Sequence, residues 1–144
     1  MRIYIAGPYT APTADEQGKN IERARDAAAE LYRKGHVPFS PHTMTAWFDH
    51  SYPDIPRKHY LETDLEWLEL CDAILMLPGW QLSNGACAEH KLAESLGLQI
   101  FYSLDEVPDV SPCGSIKVGF PVSGEDYEGY EEGADAEVPN ELQS

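Results

Sequence analysis

The chain alternates between short continuous apolar runs and longer stretches in which apolar residues recur every three or four positions. Residues 2–6 (RIYIA) are β-rich and alternate little, the pattern of a strand buried on both faces, and they predict a first, central parallel strand. Gly7-Pro8-Tyr9-Thr10 leaves that strand as a loop. Pro, Thr, Asp and Gly crowd residues 11–19, so a first helix is expected to begin near Asn20, a fair N-cap, and to stop at Gly35. Ile21, Ala24, Ala28, Leu31 and Tyr32 give this helix one apolar face. A short second strand is expected over 36–41, with Pro38 pushing it toward a sheet edge. From His42 to Arg57 the chain mixes Trp47, Phe48, Tyr52 and Pro53 with His and Asp side chains. That mixture suits a lid or pocket wall, and equally a surface loop anchored by aromatics.

A second helix is expected over 57–71, with Tyr60, Leu61, Asp64, Leu65, Trp67 and Leu68 on one broad face. Asp64 has Tyr60, Leu61 and Leu68 as its helical neighbours, so a carboxylate sits beside apolar residues and needs a reason to be there. The stretch 72–101 organises the rest. Its apolar run 72–77 suits a buried parallel strand, 78–82 a loop, and Ser83-Asn84-Gly85 the turn into a helix over about 85–95 that stops at Gly97. A further strand follows over 99–102, then a terminal loop over 104–112 and a last short strand over 115–122. Strands and helices in this order predict an α/β domain with an open parallel sheet of about four to five strands and helices on both faces. In such sheets the loop after a strand lies at the carboxyl edge, where ligands bind, and Glu89 falls roughly one turn into the helix that follows.

Composition narrows the possibilities. The chain has 144 residues, 42% of them apolar, enough for one domain with a real core. Its net charge of −15 argues against a nucleic-acid polymer as partner, while a local pocket for a small anion stays open. Between Ser123 and Ser144 there are eight acids and no Lys or Arg, with glycines interspersed. This divides the chain into a domain over 1–122 and an acidic C-terminal tail over 123–144 that cannot fold alone, although Tyr127, Tyr130 and Val138 offer docking points. No run of about 18 apolar residues offers a membrane span, and the short N-terminal apolar run ended by Pro8 is not a signal peptide, so a cytoplasmic protein is expected. Cys71, Cys87 and Cys113 form no C-x-x-C pair, and Cys87 with His90 lacks a second ligand pair, so neither disulfides nor a metal are expected. No phosphate-binding glycine motif of a nucleoside triphosphate or dinucleotide site is present, and no cofactor is expected.

Three segments carry a resemblance. The opening IYIAGPYT, the run DLEWLELCDAILML and the segment SNGACAEHKLAESLG resemble the nucleoside 2-deoxyribosyltransferase superfamily over about residues 1–103. That superfamily also includes nucleoside 5′-monophosphate N-glycosidases and small phage and prokaryotic proteins of similar length. The resemblance implies a Rossmann-like or flavodoxin-like fold in which Glu89 attacks the anomeric carbon, Asp64 assists at the base or the sugar, and Tyr4 orients Glu89. The chemistry is coherent. Breaking an N-glycosidic bond builds positive charge on the sugar, which an ionised carboxylate stabilises and can trap covalently. A proton donated to the departing base lowers the barrier further, and two carboxyls at roughly 5 Å do both jobs in retaining glycosidases.

One position divides the superfamily. Six residues before the glutamate the transferases carry an aspartate that binds the sugar 5′-hydroxyl, whereas the monophosphate hydrolases resemble this chain in carrying a serine, Ser83. An aspartate there would repel a phosphate, while Ser83 offers a hydroxyl and a free N–H at a helix start. Gly7, Asn84 and Gly85 are the expected backbone partners of the phosphate, and Trp47, Phe48 and Trp80 either stack on the base or pack in the core. The chain departs from the hydrolases in its first loop, where Pro8 has no N–H; Lys19, Arg23, Arg57 or Lys58 are the cations available to compensate. The reading is hydrolysis of a (deoxy)nucleoside 5′-monophosphate to free base and sugar phosphate. The alternatives are base exchange by a deoxyribosyltransferase and a non-catalytic nucleotide-binding or interaction protein. The resemblance also implies a homodimer or larger assembly.

Overall fold

The structure, a computed structural model, describes residues 1–110. The expected last strand over 115–122, the tail over 123–144 and Cys113 lie outside the described residues. Four parallel strands form one sheet: β1 (Arg2–Ala6), β2 (Val37–Phe39), β3 (Ala73–Met76) and β4 (Gln99–Phe101), in the order β2-β1-β3-β4. Arg2 is opposite Val37, Ile3 opposite Ala73, and Ala73 opposite Gln99. The continuous apolar runs thus take the interior positions, β1 and β3, and Pro38 lies in an edge strand. This order is that of the flavodoxin-like sheets through their fourth strand, and it reverses direction between β1 and β3, where ligands bind.

Side chains alternate across the sheet and divide the core in two. Ile3, Ile5, Ala73, Leu75 and Leu77 pack on one face under helix α1 (Ala14–Arg33), against Ala24, Ala27 and Leu31. Each fully buried Ile or Leu there contributes about 1.5–3 kcal/mol. Tyr4, Ala6, Ile74 and Met76 point to the other face, where they meet Leu68 of helix α4 (Arg57–Glu69) and Ala86 and Ala93 of helix α5 (Asn84–Ser95). Two short helices, α2 (Pro41–Met44) and α3 (Phe48–Ser51), lie between β2 and α4 in sequence. They occupy the stretch where the sequence offers no periodic pattern.

Helix α1 starts at Ala14, six residues ahead of the expected Asn20. Thr13 is its N-cap, accepting the Glu16 N–H at 3.2 Å while its hydroxyl donates to the Glu16 carboxylate, and Asp15 and Glu16 place negative charge at the helix start. Ala27 is buried in the face where Tyr32 was expected, and Tyr32 is 65% exposed. The C-terminus falls where expected: Gly35, at φ +84°, lets its own N–H reach Tyr32 O and that of His36 reach Leu31 O, a Schellman closure. In α4 only Leu68 is fully buried; Tyr60, Leu61, Asp64 and Leu65 are half-buried, and exposed Trp67 stacks on Phe39 of β2 at 4.9 Å between centroids. No helix among the described residues is long and apolar enough to cross a membrane.

Candidate active site

At the carboxyl edge of β1 and β3 the sheet opens into a cleft of about 1140 Å³. The loop after β1 and the loop after β3 meet there so closely that a Cβ on Gly7 would sit 2.8 Å from Leu77 Cβ, so only glycine fits. Gly7, Pro8, Tyr9 and Thr10 form one side, and Pro78, Gly79 and residues 82–86 another. The α2–α3 segment and the start of α4 complete the wall through Thr45, Phe48, Pro53, Ile55, Tyr60 and Leu61, so the 42–57 stretch is a pocket wall.

The cleft reaches a buried pair. Tyr4 is fully buried in β1, on the face that meets α5, and its hydroxyl donates to Glu89 Oε1 at 2.7 Å. Glu89 is 5% exposed and lines the cleft. Burial pushes its carboxyl up to about 8; the bond from Tyr4 opposes that rise, and the nearby negative charge of Asp64 adds to it. Asp64, half-buried on α4, also lines the cleft, and burial raises it to about 6. Burial and then the charge of Glu89 hold the Tyr4 phenol well above its usual pKa. The fold therefore brings Tyr4, Asp64 and Glu89 together from β1, α4 and α5.

Ser83 lies at the cleft as the N-cap of α5, its hydroxyl accepting the Ala86 N–H at 3.3 Å. Its own N–H is not free, as the sequence suggested, because the turn over Trp80–Leu82 draws it onto Trp80 O at 3.0 Å. The N–H groups of Asn84 and Gly85, both at the cleft, are the ones without a partner among the described residues. A Cβ on Gly85 would meet nothing nearer than Ser83 Oγ at 3.9 Å, so no described residue crowds the position. Of the candidate cations, Arg23, Arg57 and Lys58 line the cleft, with Arg57 Nη2 donating to Thr10 Oγ1 at 3.2 Å; Lys19 pairs instead with Asp15 at 2.7 Å.

The two tryptophans do not line the cleft. Trp80 stacks on His90 at 4.4 Å between centroids and packs against the α4–α5 core, while Trp47 lies against Gly18 of α1 and tilts against His50. The sequence carried no direction for these rings; Phe48 is the aromatic of this group that reaches the cleft.

Two contributors were not legible in the sequence. His42 is buried at the cleft, and its Nε2 lies 3.1 Å from Gly7 O and 3.0 Å from Pro8 O. Carbonyls only accept, so Nε2 carries the proton and the ring ties α2 to the loop after β1. Burial lowers its pKa despite those two bonds, which keeps it neutral. A second tie joins Tyr9, whose hydroxyl donates to Asp49 at 3.0 Å and accepts the Trp47 N–H, to Gln17, which donates to the same carboxylate. These bonds hold Trp47 in a left-handed backbone conformation at φ +65°. No local pattern announces such contacts, because both partners are far apart in sequence.

The fold thus sets a buried tyrosine–glutamate pair and a second carboxyl at its switch-point cleft, groups whose chemistry suits acid–base or nucleophilic work. The chain belongs to the family described as a domain of unknown function, DUF4406, whose model matches residues 1–102. No curated protein matches it. Similar solved structures include a 2-deoxyribosyltransferase from Bacillus psychrosaccharolyticus, 23% identical with a TM-score of 0.48 over 69% of each chain. A 2-desoxiribosyltransferase from Leishmania mexicana is 21% identical with a TM-score of 0.47, over 69% of this chain and 61% of that one. The CMP N-glycosidase BcmB of Clostridium botulinum is 20% identical with a TM-score of 0.44, over 69% of this chain and 66% of that one.

Proposed function

We propose that this protein is an enzyme that hydrolyses the N-glycosidic bond of a (deoxy)nucleoside 5′-monophosphate, with Glu89 as nucleophile. The observation that carries the reading is the 2.7 Å bond from Tyr4 to a buried Glu89 at the cleft, with Asp64 beside it. The Tyr4 hydroxyl fixes one carboxylate oxygen and leaves the other for the sugar carbon. In the reacting form Glu89 is ionised and Asp64 protonated; the free Glu89 oxygen bonds to the sugar carbon as that carbon's bond to the base breaks, and the positive charge developing there offsets the burial that disfavours the carboxylate. Asp64, with a pKa near 6, holds a proton often enough at neutral pH to pass it to the departing base. The base departs as the glycosyl-enzyme forms; water then attacks the sugar carbon, giving its proton to the Asp64 carboxylate, and the sugar phosphate leaves with Glu89 restored as the carboxylate. The N–H groups of Asn84 and Gly85, the Ser83 hydroxyl and the cations Arg23, Arg57 and Lys58 support a phosphate at the cleft. The reading includes a homodimer or larger assembly in the cytoplasm, and exposed Trp67 and Leu70 at the end of α4 give such an assembly an apolar contact.

The test is a panel of ribo- and deoxyribonucleosides and their 5′-monophosphates, followed for free base by chromatography, with and without a second base added. Release from monophosphates at ten or more times the rate from nucleosides, on the order of one good charge-assisted contact, is the expected result. Base exchange faster than hydrolysis would make the protein a transferase. Release from none would remove the enzymatic reading.

A further inference from the structure

Among the described residues three buried side-chain polar atoms have no hydrogen-bond partner: Ser40 Oγ, His42 Nδ1 and Tyr60 Oη. Tyr60 stands apart. His42 is already engaged through its other nitrogen, and Ser40 does not line the cleft, whereas Tyr60 lines it and uses its only polar atom for nothing. A phenol shut off from water without a partner costs free energy, and native folds retain such a group where a ligand completes it. Its surroundings indicate the ligand. Tyr60 and Asp64 are four residues apart on α4 and both line the cleft, so they share one stripe of the helix. The wall to which Tyr60 belongs is apolar at Phe48, Pro53, Ile55 and Leu61 and charged at Asp49, Arg57 and Lys58. A flat ring with polar atoms on its edge can lie on the apolar part of that wall while its edge meets the hydroxyl.

We propose that Tyr60 reads the heterocyclic base, its hydroxyl donating to a ring nitrogen or exocyclic carbonyl while the base lies against the Phe48–Ile55 wall. This rests on the N-glycosidase reading and adds to it a polar contact by which the site holds a base. The arrangement also places Asp64 on the same side of the base, one helical turn from the recognising hydroxyl. A site built around a hydrogen bond rejects a ligand that cannot make it far more strongly than an apolar pocket does. Preference for a base over an apolar ring of the same shape then depends on one phenol.

The test uses the full chain and its Tyr60→Phe variant, titrated by calorimetry with adenine, hypoxanthine, cytosine, uracil and, as a flat ring without an acceptor edge, indole. The expected result is that the best-bound base loses about 10- to 100-fold in affinity in Tyr60→Phe while indole changes by less than about twofold. The ligand-free variant should melt at the same temperature as the parent or higher, because an unpaired hydroxyl has been removed. The proposal is overturned if no base binds the parent, if the variant binds all bases as the parent does, or if the ligand-free variant melts lower. Turnover is scored separately. Tyr60-dependent base binding without release of base from any nucleoside or nucleotide removes the enzymatic reading and leaves the base site, and release with base recognition indifferent to Tyr60 does the reverse.

Discussion

Replacing Glu89 by Gln should make the fold more stable at alkaline pH while removing its chemistry. The carboxyl ionises near 8 in the folded chain, against a usual value of 4.5, chiefly because it is buried. The folded value lies above the unfolded one, so the native state holds the proton more tightly. The stability tied to that proton is complete below about pH 4.5 and is lost as pH rises through 8. At pH 8 and above, the ionised Glu89 therefore costs on the order of 3–5 kcal/mol relative to a neutral side chain of the same shape. Glutamine is that side chain, and its carbonyl can still accept the Tyr4 hydroxyl. Urea denaturation of parent and Glu89→Gln at intervals from pH 5 to 9 reads the difference. The variant should match the parent within about 1 kcal/mol at pH 5 and exceed it by a few kcal/mol at pH 9. Two curves that run parallel across the range would refute the account of a carboxyl held neutral by burial.

Other outcomes follow from the same geometry. Base release should be roughly level between about pH 6 and 8, because Glu89 must be ionised while Asp64 must be protonated, and should fall about tenfold per pH unit below 6 and, on an alkaline limb, above 8. Tyr4→Phe removes a bond that lowers the Glu89 pKa, so a pH–rate series should show that limb displaced to higher pH and kcat/KM reduced about 10- to 100-fold. Gly7→Ala forces a Cβ to within 2.8 Å of Leu77 and should cost about 1–3 kcal/mol in urea denaturation. Thr13→Ala removes the α1 cap and should cost about 1 kcal/mol in the same assay, leaving the cleft intact.

The parts of this protein that were legible in its sequence are those whose structure is set locally. Residues 3–6 and Ala73–Met76 are apolar throughout because both faces of an interior parallel strand are covered, and Ser83 and Gly97 bracket α5 as cap and stop. Tyr4, Asp64 and Glu89 stand out in the sequence because three motifs in order resemble a superfamily, and the carboxylate amid the apolar residues of α4 is anomalous on its own. What escaped depends on distant partners. The start of α1 was placed late because Pro12 and Gly18 argue for a loop, yet Gly18 is tolerated in the helix where the Trp47 ring comes close, and the Thr13–Glu16 cap outweighs both. The helices α2 and α3 are four residues each, held by His42 on the Gly7 and Pro8 carbonyls and by Asp49 on Tyr9 and Gln17. Trp47 and Trp80 were recognisable as important, but whether a ring faces a cleft or a core is decided by residues 30 or 10 positions away, such as Gly18 and His90.

The rate of base release by the parent chain and by Glu89→Gln, measured side by side on the best 5′-monophosphate of the panel, tests the central claim most directly. The account requires a loss of about a thousandfold or more in the variant, with its fold intact. Equal rates would mean that the buried carboxyl beside Tyr4 does not carry the chemistry.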